Sequence, residues 1–171
     1  MSKTADCVIG LGANLGARDK CLRETVEAVA AWVRVSKVSW LYETVAMGPP
    51  QPDYLNAAIR VECARPLPEL LEILLGIERA AGRVRVERWG PRTLDLDVLW
   101  VRGVALVTRQ LQVPHPRLCE RAFAVLPLLD VAEDAADPRT GLVYASLRSG
   151  LDVSGVRRVA GPEWAAQSGQ S

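Results

Sequence analysis

Tyr54-Leu55-Asn56-Ala57-Ala58-Ile59-Arg60-Val61-Glu62-Cys63 alternates almost without fault. Side chains on a strand point to opposite faces in turn. Leu55, Ala57, Ile59, Val61 and Cys63 therefore share one apolar face, while Tyr54, Asn56, Ala58, Arg60 and Glu62 share the other. Upstream, Val33, Val35, Val38, Trp40 and Tyr42 suggest another strand, and Leu22, Val26, Val29 and Ala30 fall on one face of a helix over 18–32. Cys7 to Leu11 is a short apolar run ending in glycines, a plausible first strand. Downstream, Leu67, Leu70, Leu71, Leu74 and Ile77 recur at helical spacing, with Pro68 tolerated in the first turn and Gly82 as the stop. Thr93 to Val101 reads as a strand that Arg102-Gly103 turns back into Val104–Val107. Val113-Pro114-His115-Pro116 cannot be helical, and helical spacing resumes from Arg117 to about Pro127. Asp137 to Gly141 is a turn, followed by a short helix near Ala145–Leu151. The reading is an α+β layered fold, its mostly antiparallel sheet flanked by helices. One domain over 1–160 is expected, with a flexible Gly-, Ser- and Gln-containing tail over 161–171.

The chain has 171 residues, 49% hydrophobic and 24% charged, which is ordinary for one globular domain. A net charge of +1 supplies no global field for nucleic acid or anionic lipid, so neither is an expected partner. Cys7, Cys21, Cys63 and Cys119 form no CxxC pair and His115 is the sole histidine, which leaves little material for a zinc site. No signal-peptide layout and no apolar run of about 18 residues is present, so a reduced, cytoplasmic setting is expected.

Chemistry concentrates in Arg88-Trp89-Gly90-Pro91-Arg92-Thr93-Leu94-Asp95-Leu96-Asp97. On a strand Asp95 and Asp97 present two carboxylates on one face, backed by Leu94, Leu96 and Val98. Such a pair repels itself unless a cation is shared, and hard oxygen donors together with substrate phosphates suit Mg²⁺. Arg83, Arg85, Arg88 and Arg92 offer planar forks for phosphate oxygens. His115 stands between two prolines, and Arg117 and Arg121, four apart, are expected on one face at the start of the next helix, an anion site. Tyr54 and Asn56 share a strand face where an aromatic ring and a carboxamide suit a flat heterocycle. In Gly10-Leu11-Gly12-Ala13-Asn14-Leu15-Gly16 the third glycine comes one position late for a dinucleotide fingerprint, and no GxxxxGK[ST] occurs. These glycines read as a tight turn, with Asn14 capping the helix or taking an unusual backbone angle. The residues alone leave open a non-catalytic nucleotide- or RNA-binding module, although paired aspartates would repel a phosphate backbone without metal. An ordinary kinase releasing ADP also remains open.

These blocks, in this order over roughly residues 8 to 132, resemble the 6-hydroxymethyl-7,8-dihydropterin pyrophosphokinase family, also called 2-amino-4-hydroxy-6-hydroxymethyldihydropteridine diphosphokinase. The resemblance runs through GLGANLG at 10–16, Tyr42-Glu43-Thr44, Gln51 to Ala57, Ile77-Glu78, Gly82 to Arg85, Arg88 to Asp97, Val113 to Arg117 and Glu120 to Phe123. It implies a ferredoxin-like α+β core and a magnesium-dependent diphosphotransferase of folate synthesis that moves diphosphate from ATP to the pterin hydroxymethyl group and releases AMP. Asp95 and Asp97 would hold two magnesium ions, with Arg83 and Arg92 joining them in catalysis. Arg83, Arg92, His115, Arg117 and Arg121 would face the triphosphate, and Glu78, Val98 and Leu99 the nucleoside. Thr44, Tyr54, Asn56, Trp89, Asp95 and Phe123 would form the pterin pocket, Tyr54 and Phe123 stacking on its two faces. Gly82 to Trp89 is expected to order on ligand binding, and the enzyme to act as a monomer. Ala46 departs from the proline often found there.

Overall fold

The period-two pattern of 54–63 becomes the central strand of the sheet, in a computed structural model that describes residues 3–46, 50–82 and 94–166. In chain order the elements are β1 (Ala5–Ala13), α1 (Arg18–Ala30), β2 (Arg34–Val38), β3 (Leu41–Thr44), β4 (Tyr54–Cys63), α2 (Leu67–Ala80), β5 (Asp95–Val101), β6 (Leu106–Val107), β7 (Gln112–Val113), α3 (Ala122–Val131) and β8 (Val156–Ala160). The main sheet runs β5-β1-β4-β3-β8, with β2 beside β3 on the same edge of β4, and every pairing is antiparallel. With β2 and β3 taken as one interrupted strand, this is the βαββαβ arrangement of a ferredoxin-like fold.

Two apolar layers follow from the alternation. Ile9, Leu11, Leu55, Ala57, Ile59, Val61, Leu96 and Val98 bury one face beneath Leu22, Val26 and Val29 of α1 and Leu70 and Leu74 of α2. The other face carries Val8, Ala58, Leu99 and Trp100 under Val125, Leu128 and Leu129 of α3. Because α3 is apolar nearly all round it sits deep, and it runs through Pro127 to Val131 instead of stopping at the proline. None of the described helices is long and apolar enough to cross a membrane.

Several expectations are corrected. The segment after β5 turns at Gly103, where φ is +69°, but β6 pairs with β7 and not with β5. The outer edge of β5 is taken by the Glu78 carboxylate, which accepts the Leu96 N–H at 2.7 Å, and by the His115 N–H, which donates to the Leu99 carbonyl at 2.9 Å. Arg117 and Arg121 do not share a helical face. Arg117 precedes a 3-10 turn over Leu118–Glu120, while Arg121 is extended (φ −116°, ψ 105°) at the N-cap of α3. At the C-terminal end, β8 pairs with β3, and Trp164, in a 3-10 turn over Pro162–Ala166, is 2% exposed with its indole N–H on the Ser39 carbonyl at 2.8 Å. The chain is therefore packed through 161–166, where a frayed tail was expected.

Candidate active site

The site begins with a bulge. Val8 faces Trp100 and Ile9 faces Val98, so Leu99 is the extra residue on β5. Gly10 opposes Asp97, and Gly12 opposes Asp95 on one side and Asn56 on the other. Asn56 in turn faces Tyr42, and Thr44 faces Tyr54. Asp95, Gly12, Asn56 and Tyr42 therefore form one row across the sheet, on the face that α3 covers only in part. A Cβ at Gly12 would stand 2.9 Å from Asn56 Nδ2, so glycine is what lets the carboxamide lie over β1. Asn56 Oδ1 and Thr44 Oγ1 are both buried without a hydrogen-bond partner among the described residues. Buried acceptors of this kind cost stability unless a ligand or water supplies a donor.

The bulge carbonyl anchors His115, and cis-Pro114 precedes it. The backbone N–H of Arg117 donates to His115 Nδ1 at 3.2 Å, which leaves the neutral ring's proton on Nε2. Nε2 lies 3.9 Å from Asp97 Oδ1, whose side chain is 40% exposed. Burial lowers the His115 pKa from its ordinary value; Arg121 and Arg117 add to this, and Asp95 opposes it. The pKa of Arg121 is also lowered, by burial and by Arg117, while Asp97 and Asp95 pull it back. Its guanidinium lies 5.5 Å from the ring centre of Phe123, which is half-buried in the first turn of α3. Arg117 is exposed and pairs with Glu120 at 3.2 Å. Two carboxylates, an imidazole and two guanidiniums thus converge at the N-terminus of α3.

Glu78 is 3% exposed and fastens α2 to β5. Val98 and Leu99 bury their side chains in opposite apolar layers, so nucleoside contact there would fall to main-chain groups of the edge strand. Arg83, Arg85, Arg88, Trp89 and Arg92, together with the ligand-ordered segment expected after Gly82, lie outside the described residues. Asn14 does not cap α1. Its Nδ2 donates to Gln51 Oε1 at 2.7 Å and to the Pro52 carbonyl at 3.2 Å, and the positive φ belongs to Gly16, at +65°. Sequence reasoning missed this tie and the role of Gly12, because both depend on β4 lying beside β1. A shallow hollow of about 510 Å³, lined by Thr4, Asp6, Lys37, Arg60 and Glu62 among others, lies at the opposite end of the sheet and includes none of the site residues.

Carboxylates, an imidazole and guanidiniums gathered on one side of this sheet are the groups that phosphoryl-type transfer calls on. More narrowly, residues 8–133 match the 7,8-dihydro-6-hydroxymethylpterin-pyrophosphokinase (HPPK) family, and the chain belongs to that family. It is 40% identical over 155 residues to a 2-amino-4-hydroxy-6-hydroxymethyldihydropteridine pyrophosphokinase of Synechocystis sp., covering 90% of this chain and 80% of that one. It is likewise 40% identical over 154 residues to the protein of that name from Bacillus subtilis, covering 84% and 92%. A crystal structure of Plasmodium falciparum HPPK-DHPS with pterin and p-hydroxybenzoate superposes with a TM-score of 0.70 at 13% identity. That match covers 92% of this chain and 47% of the larger one, so the likeness is one of fold over about half of the solved chain.

Proposed function

We infer that the chain transfers diphosphate from ATP to the hydroxymethyl group of 6-hydroxymethyl-7,8-dihydropterin, releasing AMP, in folate synthesis. Beyond family membership, the observation that carries this reading is the row from Asp95 over Gly12 to Asn56, flanked by oxygens of Asn56 and Thr44 that have no hydrogen-bond partner among the described residues. Those acceptors meet the amino and ring N–H donors of a pterin edge. Adjacent strands lie about 4.8 Å apart, so a flat bicycle spanning the two intervals reaches the carboxylates with its hydroxymethyl arm. Tyr54 and Phe123 supply the stacking surfaces, with Trp89 completing the pocket by resemblance.

The donor set fits magnesium. Asp95 and Asp97 would hold it as hard oxygen donors on one face, and the glycines beside them add no side chain. Two magnesium ions brought in with ATP would neutralise charge on the phosphates and orient the β-phosphoryl group for attack. Nε2–H of His115 donates to a phosphate oxygen, and Arg121 adds a permanent charge at a helix N-terminus. Glu78 holds the edge strand against which the nucleoside lies, and Arg83, Arg92 and Arg117 complete the phosphate contacts. All four cysteines are free, two of them buried, which fits work in a reducing cytoplasm. The test is to incubate the protein with ATP, Mg²⁺ and the hydroxymethyl dihydropterin and identify the nucleotide product. AMP is expected in step with pterin consumption; stoichiometric ADP, or turnover that ignores the pterin, sinks the assignment.

A further inference from the structure

We propose that the turn from β1 into α1 sets the pterin-side wall of the site, with Asn14 and Arg18 as positioning residues for Tyr54 and Asn56; this rests on the pterin reading above. Asn14 is 1% exposed, yet no side-chain bond caps α1, whose N-cap is Ala17. The buried amide is used across the chain instead, on Gln51 and the Pro52 carbonyl, 37 and 38 residues away. Four residues on, Arg18 opens α1 and donates to the Asp53 carbonyl at 2.6 Å and to Glu43 at 3.2 Å. The other Glu43 oxygen is held by Arg157 of β8 at 2.7 Å. Gln51, Pro52 and Asp53 are thus gripped one after another, immediately before Tyr54.

Pro50 and Pro52 have no N–H to give, so the segment offers the turn its carbonyls and the Gln51 side chain. Side chains from the β1–α1 turn therefore help to place it. The same stretch meets the wall from below, because Gly12 lies under the Asn56 carboxamide with no room for a Cβ. Releasing the grip lets Tyr54 and the Thr44–Asn56 acceptors drift from the alignment a pterin needs. The triphosphate side, built from β5, His115 and Arg121, lies across β1 and is untouched. Loss of these contacts belongs in the KM for pterin and not in the KM for ATP.

Steady-state kinetics with ATP–Mg²⁺ and 6-hydroxymethyl-7,8-dihydropterin separate the possibilities. Asn14→Ala is expected to raise the pterin KM by about tenfold, on the scale of buried hydrogen bonds lost, with the ATP KM within about twofold of wild type. Gln51→Ala, which keeps the Pro52 contact, should have a smaller effect in the same direction. Gln51→Glu keeps an acceptor and should restore the wild-type pterin KM. The double variant Asn14→Ala/Gln51→Ala should raise the pterin KM by less than the two single effects combined, since the two side chains bond each other. If Asn14→Ala does not fold, Gln51→Ala and Arg18→Met carry the same test. Unchanged pterin KM, or equal losses for both substrates, overturns the positioning role. A wild-type protein that forms no AMP from ATP and this pterin sinks the functional reading instead.

Discussion

Asp97 is 40% exposed at its side chain and projects from an edge strand whose alternate residues are buried, so its carboxylate contributes little to packing. Asp97→Asn or Asp95→Asn should leave circular dichroism unchanged and reduce turnover by at least about a hundredfold, the scale for losing a preorganised charge at the reacting group. Wild-type turnover at limiting Mg²⁺ would refute the role. His115 gives a pH-dependent test that needs no substrate, because it is the chain's sole histidine. Its folded pKa lies below the ordinary 6.5, from burial first and then from Arg121 and Arg117, with Asp95 opposing. As pH falls below about 6.5 the unfolded chain takes up the proton first, so the free protein loses stability; above that value both forms are neutral and the contribution vanishes. The imidazole NMR signal of the free protein should titrate with a midpoint under 6.5, and His115→Gln should flatten the stability profile just below it. A midpoint at or above 6.5 contradicts the burial argument. Both residues were legible as candidates in the sequence, but the tautomer and the direction of the shift were not. Those depend on Leu99, Arg117 and Arg121, which reach His115 from a bulge, a loop and a helix cap.

Among the elements, β5 has the most demanding position, at the sheet's edge with carboxylates on one face. Edge strands need something to occupy their outer backbone groups, and α2 supplies Glu78, whose buried carboxylate accepts the Leu96 N–H. Helical spacing placed Glu78 at the end of α2, but nothing local marked it as a partner of β5. Glu78→Ala would leave a buried donor unmet and should cost about 1 to 3 kcal/mol in chemical denaturation. Glu78→Gln keeps an acceptor and should cost much less. Equal losses for the two variants would mean that the negative charge, and not the acceptor or the packing, is what counts. Helix α3 was harder to delimit. Spacing ran its pattern back to Arg117, whereas the chain breaks at Arg121, where an extended N-cap turns the guanidinium toward the aspartates. Pro127 ended the expected helix but is buried within the observed one, and packing on both sides outweighs its missing hydrogen bond.

At the scale of the molecule, the last strand and the turn after it close the fold. Trp164 enters the layer beneath α1, beside Leu41, and its indole N–H satisfies the Ser39 carbonyl. Trp164→Ala should cost about 3 to 5 kcal/mol, read as a lower denaturation midpoint with unchanged slope. A near-neutral result would return residues 161–166 to the status of a tail. Nothing in the local pattern announced this: Val156-Arg157-Arg158-Val159-Ala160 is mixed, and a lone tryptophan among small residues has no periodicity.

Period and punctuation are properties of neighbouring residues, and they were enough to locate β4 to the residue, α2 to within a few residues and the shared face of Asp95 and Asp97. They also carried the family resemblance, since its motifs are contiguous. Partnership is a different kind of information. Whether β6 pairs with β5 or β7, whether Asn14 caps its own helix or reaches Gln51, and whether 161–166 is packed all depend on which distant backbone groups are already satisfied. Those choices were made only when β1, β4 and β5 came into register. That register put Gly12 between Asp95 and Asn56, a juxtaposition of three residues spread over positions 12 to 95, and no local pattern encodes it.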